Sequence, residues 1–145
     1  MTTINRSALV PYAAAEMYAL VDDINAYQDF LPWCKASCVL SRGDNEVRAE
    51  LRLVRGGFEK SFVTRNRSDN DQMIEMSLEQ GPFHHLEGIW RFDSLDAGAC
   101  KVSLHLDFEF SNKLLGFTFG PVFNQIANTL VDAFCRRAEV IYGKR

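Results

Sequence analysis

Three sets of residues could do chemistry, and their spacing decides what each can do. His84 and His85 are adjacent. On an extended strand neighbouring side chains leave opposite faces, so two such imidazoles do not converge on one metal ion. Cys34 and Cys38 would share a strand face, but about 13 Å apart at roughly 3.3 Å per residue, too far to clamp one ion. His105 and Asp107 fall on one face with no nucleophile beside them, and a lone His–Asp pair is a surface hydrogen bond before it is a catalytic engine. These residues predict a non-enzymatic binding protein with no catalytic residue, no metal site and no resident cofactor.

Two larger constellations suit binding. Arg48, Arg52, Arg55, Lys60, Arg65 and Arg67 fall on what should be one wet strand face, interleaved with Glu46, Glu50 and Glu59. That is either a solvated face with cross-strand ion pairs or a patch for nucleic-acid phosphates, whose grip would weaken steeply with salt. The other constellation is apolar. Eleven phenylalanines need no polar partner, so they either fill a core or line a cavity.

The elements that must position these residues follow from periodicity. Ser111 to Tyr142 carries the sustained helical repeat, with Phe119, Phe123, Ile126, Leu130, Phe134, Ala138 and Ile141 stepping by three or four and so sharing one stripe. Pro121 suits the first helical position and Gly143 the position past the end. Asn112 suits the cap of an earlier turn. Near the N-terminus, Thr2 to Val10 reads as a strand and Ala13 to Asp23 as a helix. Asn25 with Gln28 has the form of a cap for a second short helix that must stop before Pro32.

From Trp33 onward the period becomes two. Cys34, Ala36, Cys38 and Leu40 alternate with polar neighbours, as do Val47, Ala49, Leu51 and Leu53. Gly56-Gly57 marks a hairpin, and Cys100 to Phe110 is the cleanest alternation of all. Six successive segments joined by short turns give an antiparallel meander with one wet and one dry face. The expected fold is α+β: a curved sheet of about seven strands wrapped around a long C-terminal helix, two short helices after the first strand, and one domain over residues 1–145.

If that grip leaves a void, its wall is expected from Leu51, Leu53, Phe62, Met76, Trp90, Leu104 and Phe108 on the sheet, and from Phe123, Ile126 and Leu130 on the helix. Phe30-Leu31-Pro32-Trp33 would close it as a gate or a fixed plug. The alternative is that these side chains fill the interior completely. Net charge is −3, so no global positive field recruits nucleic acid or anionic lipid, and DNA is not an expected partner. With no basic leader before an apolar run, no 18-residue apolar stretch and four scattered cysteines, the chain reads as soluble and cytoplasmic, with free thiols.

Several motifs together resemble a known family. Arg6 to Tyr12, Phe30-Leu31-Pro32-Trp33-Cys34, Gly81-Pro82-Phe83, Leu86 to Phe92, Gly120-Pro121-Val122-Phe123 and Ala133 to Ala138 are similar to the coenzyme Q-binding proteins and ribosome association toxins of the START-like, helix-grip superfamily. The resemblance spans nearly the whole chain. Ala13-Ala14 departs from it, because a Ser-like helix cap is common there.

The resemblance implies two functions. One is binding of ubiquinone or another isoprenoid lipid in the cavity in support of respiration, which would place the protein peripherally at the inner membrane. Trp33, Leu51, Phe62, Met76, Trp90, Leu104, Phe108, Phe123, Ile126 and Leu130 would then line the ligand site. The other is a toxin of a toxin–antitoxin pair that binds the large ribosomal subunit and blocks subunit joining. Arg52, Arg55, Lys60, Arg65 and Arg67 would then touch rRNA.

Overall fold

Seven strands form one antiparallel sheet in the order β1-β7-β6-β5-β4-β3-β2. The computed structural model describes residues 1–145, and it makes the strands β1 (Thr2–Val10), β2 (Cys34–Arg42), β3 (Glu46–Arg55), β4 (Phe58–Asp69), β5 (Met73–Gln80), β6 (Phe83–Asp96) and β7 (Ala99–Phe110). Between β1 and β2 lie α1 (Ala14–Asp22), a 3₁₀ turn (Ile24–Ala26) and α2 (Tyr27–Phe30). After β7 come α3 (Lys113–Thr118) and α4 (Gly120–Tyr142). Every strand after β1 pairs with its neighbour in sequence, because the connections are too short for a crossover. Strand β1 closes the far edge against β7, with Thr2 opposite Phe108 and Val10 opposite Cys100.

The sheet curls around α4. Phe58 on β4 and Phe110 on β7 stand three strands apart, yet both rings reach Phe119 at the start of α4, at 5.7 and 5.6 Å. Across a flat sheet those strands would lie about 14 Å apart. Gly56 and Gly57 at φ +57° and +87° make the tight β3–β4 turn that carries Phe58 there. Gly88 permits a second close approach: a Cβ on it would come within 2.7 Å of the Met76 side chain and 2.9 Å of Leu106.

Helix α4 buries Phe123, Ile126, Ala127, Val131, Phe134 and Ala138. Ile141 departs from the expected stripe and is 49% exposed. Its last turn packs Tyr142 against Tyr12, with ring centroids 5.9 Å apart, and is also held by polar ties. Tyr12 Oη donates to the Gly143 carbonyl at 2.7 Å, Tyr142 Oη to the Glu16 carbonyl at 2.9 Å, and Arg145 grips the Glu16 carboxylate at 2.6 and 2.9 Å. Glu16 Oε1 also accepts from the Ala13 N–H at 2.9 Å. The third-position carboxylate thus supplies the reciprocal half of a capping box, without the side-chain cap that a Ser at Ala13 would add.

Two local expectations fail for identifiable reasons. Asn25 does not cap α2. Its Oδ1 accepts from the Val39 N–H at 3.0 Å and its carbonyl from Ser37 Oγ at 3.4 Å, so it braces the 3₁₀ turn to β2. Cys34 and Cys38 do not share a face, because a register shift between Cys34 and Ala36 makes Lys35 an extra residue. Cys34 is buried and Cys38 exposed. Asn112 does cap α3, accepting from the Leu115 N–H at 2.9 Å.

Candidate functional site: an apolar cavity with a polar wall, and a cationic strand pair

The inner face of β4 reads Phe62, Thr64, Asn66, and all three are buried. Across β3 they oppose Leu51, Ala49 and Val47, and across β5 Thr64 and Asn66 oppose Leu78 and Met76. The small residues Ala49 and Thr64 stand side by side where larger ones would fill the space. The 3₁₀ turn and α2 cover this corner with Ile24 and Tyr27, and α4 passes over it with Phe123, Ile126, Ala127, Leu130 and Phe134.

The result is a void of about 80 Å³ between the inner face of the sheet, from β3 to β7, and α4. Trp33, Leu51, Phe62, Met76, Trp90, Phe123, Ile126 and Leu130 all line it, as does Leu53. Leu104 and Phe108 do not. Leu104 is packed among Trp90, Val102, Val131 and Phe134, and Phe108 among the rings of Phe83, Phe110 and Phe123. Leu106 reaches the void in their place, with Leu86 and Phe134. Of the Phe30-Leu31-Pro32-Trp33 segment, Leu31 and Trp33 are buried, Trp33 lines the void, and the Trp33 carbonyl accepts from the Val54 N–H at 2.8 Å.

Polar groups on the wall are few. Tyr27 Oη donates to the Val21 carbonyl, and burial drives its phenol far above the usual range, so it stays neutral. Thr64 and Asn66 are the polar members of the lining that sequence reasoning missed. Their signal was present: they continue the parity of Phe62 and so put polar side chains on the dry face. Asn66 Oδ1 is buried with no partner. No carboxylate, imidazole or amine lines the void, and His84, His85, Cys34, His105 and Asp107 all lie outside it. His105 bonds Asn5 Oδ1 at 2.6 Å and Asp107 Oδ2 at 3.1 Å on the outer face of β1 and β7. Hydrogen bonds from Thr3 and His105 hold the Asp107 carboxyl below its usual range.

The cationic cluster divides. Arg48, Arg52, Arg65 and Arg67 lie on the outer face of β3 and β4, with Arg48 opposite Arg65. Arg48 reaches across β4 to grip Glu79 with contacts of 2.6 to 3.0 Å, which holds the Glu79 carboxyl below its usual range. Arg65 and Arg67 share Glu46 at 3.2 and 3.9 Å. Arg52 shares Glu59 with Lys35 at 3.4 and 3.3 Å. Arg55 and Lys60 depart from the expected wet face. They oppose Phe58 and Leu53, so they take the inner parity at the hairpin end. Neither has a carboxylate within ion-pair distance.

A family model described as "Polyketide cyclase / dehydrase and lipid transport" matches residues 10–135. The chain belongs to this family. Within it, the chain is 48% identical over 142 residues to a Pseudomonas aeruginosa protein named ribosome association toxin RatA, covering 98% of this chain and 99% of that one. It is 30% identical to the mitochondrial coenzyme Q-binding protein COQ10 homolog B of Xenopus laevis, covering 97% of this chain and 59% of that one. A START superfamily protein of Mycobacterium smegmatis has the same fold, with a TM-score of 0.80 at 21% identity over 96% of this chain and 98% of that one. The START-like helix-grip fold and the family resemblance read from the motifs thus both hold.

Proposed function

We propose that this protein acts by associating with the large ribosomal subunit and hindering subunit joining, rather than chiefly as a quinone carrier. The observation that carries this reading is the end-to-end similarity to a protein named for ribosome association, at 48% identity. The similarity to the coenzyme Q-binding protein is weaker and spans 59% of that chain. The β3–β4 hairpin supplies a fitting contact. On its outer face Glu46 and Glu59 are each shared by two cations, and at the hairpin end Arg55 and Lys60, of the inner parity, are uncommitted, so a phosphate reaching that end would meet excess positive charge. Cosedimentation with large subunits on sucrose gradients tests the reading. The protein is expected to move with the large subunit at low salt and to leave it as salt rises. The paired substitutions Arg55→Glu and Lys60→Glu should abolish cosedimentation without unfolding the chain. Normal ribosome profiles and no cosedimentation would overturn it.

A second reading has its own support: the cavity takes an apolar ligand. An apolar void of about 150 Å³ holds benzene, so about 80 Å³ is too little for a quinone with its isoprenoid tail unless the walls part. A compact ring needs far less movement. The absence of acid and base groups on the wall favours binding over catalysis there. Cosedimentation and ligand binding can be measured separately on one preparation, and an antitoxin partner would be sought by co-purification.

A further inference from the structure

Asn66 is 9% exposed, and its side-chain oxygen makes no hydrogen bond. An unpaired carboxamide oxygen in such a place is a net cost to folding, and folding alone gives nothing back for it. Thr64, two residues earlier on the same face and 6% exposed, lines the same void. The nearby polar groups are committed elsewhere: Tyr27 Oη to Val21, and Ser37 Oγ to Asn25 and the Gln28 N–H. The hydrogen-bonding capacity on this wall therefore lies with the Thr64–Asn66 pair.

We propose that Thr64 and Asn66 form a head-group subsite that recognises a hydroxyl on a compact aromatic ligand, of the phenol or hydroquinone class, in preference to a quinone. This rests on the reading that the cavity takes an apolar ligand. A hydroxyl both donates and accepts, so it satisfies the Asn66 carboxamide oxygen and the Thr64 hydroxyl together. A quinone carbonyl only accepts and leaves the Asn66 oxygen unpaired. The ring would lie among Met76, Trp90 and Phe134. Met76 is the wall residue best able to yield, being unbranched and flexible.

Two near-isosteric probes test it: p-cresol, which carries the hydroxyl, and p-xylene, which replaces it with a methyl group. Affinities would be read by titration, following the Met76 and Leu51 methyl signals by NMR. On the wild-type chain both should bind. Asn66→Leu should weaken p-cresol about tenfold or more and leave p-xylene unchanged or tighter. Thr64→Val, which keeps the shape and removes the hydroxyl, should weaken p-cresol by a smaller factor and serves if Asn66→Leu does not fold. If p-xylene binds and both variants hold p-cresol as the wild type does, the subsite is overturned while the apolar-ligand reading stands. If neither probe shifts the wall methyls, both fail. An ordered water on Asn66 that p-cresol does not displace would also overturn the subsite.

Discussion

The two halves of the grip are packed differently. On one side β1, β6 and β7 close against α1 and the far half of α4. There Met17, Cys100, Val102 and Ala138 are wholly buried, and Phe92 stacks with Trp90 and meets Tyr18 edge-on. On the other side β3, β4 and β5 face the middle of α4 across the void. Small or polar side chains stand at a few inward positions on one side only. The packed face of β7 carries Val102, Leu104 and Phe108, whereas β3 and β4 carry Ala49, Thr64 and Asn66 among the larger Leu51, Leu53 and Phe62. A solid half fixes the fold, and a hollow half is then free to hold something else.

The largest expected contrast comes from one truncation made in each half. Leu104→Ala removes a side chain with close neighbours on all sides, and urea unfolding should show a loss of about 4–5 kcal/mol. Leu53→Ala, at a residue equally buried but bordering the void, should cost about 2–3 kcal/mol, because its atoms already lack partners on one side. Equal losses would erase the distinction between the halves.

A gain of volume should separate them in the other direction. Ala127 and Ala138 are both fully buried on α4, but only Ala127 faces the void. Ala138→Leu should cost about 1–3 kcal/mol through overpacking, while Ala127→Leu should stay within about 1 kcal/mol of wild type. Ala127→Leu should also block p-cresol and p-xylene alike.

The smallest effects are electrostatic, and each half has an arginine that grips a carboxylate closely. Arg145 holds Glu16 over the solid half, and Arg48 holds Glu79 over the hollow one. Hydrogen bonds from these arginines keep both carboxyls below the ordinary 4.5. Their stabilisation is therefore complete above about pH 4.5 and is lost as pH falls through the lowered values. Both clasps are partly exposed, so the effect is modest. Acid unfolding followed by circular dichroism should show Glu16→Gln and Glu79→Gln each flattening the pH dependence below about 4.5. An unchanged acid limb would show that the clasp does not hold in solution.

Much of the site was legible in the chain. Alternation names the inward residues, so Leu51, Leu53, Phe62, Met76 and Trp90 fall on the wall. Helical periodicity adds Phe123, Ile126 and Leu130. Alternation also brings in Leu104 and Phe108, because parity says which way a side chain points and nothing about what it meets. Only the tertiary packing decides that Leu106 of β7 borders the void while Leu104 and Phe108 are packed away from it. The same limit applies to Cys34 and Cys38, since a bulge shifts parity by one residue and leaves no mark in the composition.

The sequence by itself determined the element order, the dry face and the family, because these depend on periodicity, turn residues and motifs that are local along the chain. Tertiary structure alone decided where the interior is empty, which cations remain unpaired and that Asn66 has no partner. Each of those depends on residues far apart in sequence meeting across a curved sheet, where a gap of a few ångströms separates a core from a cavity.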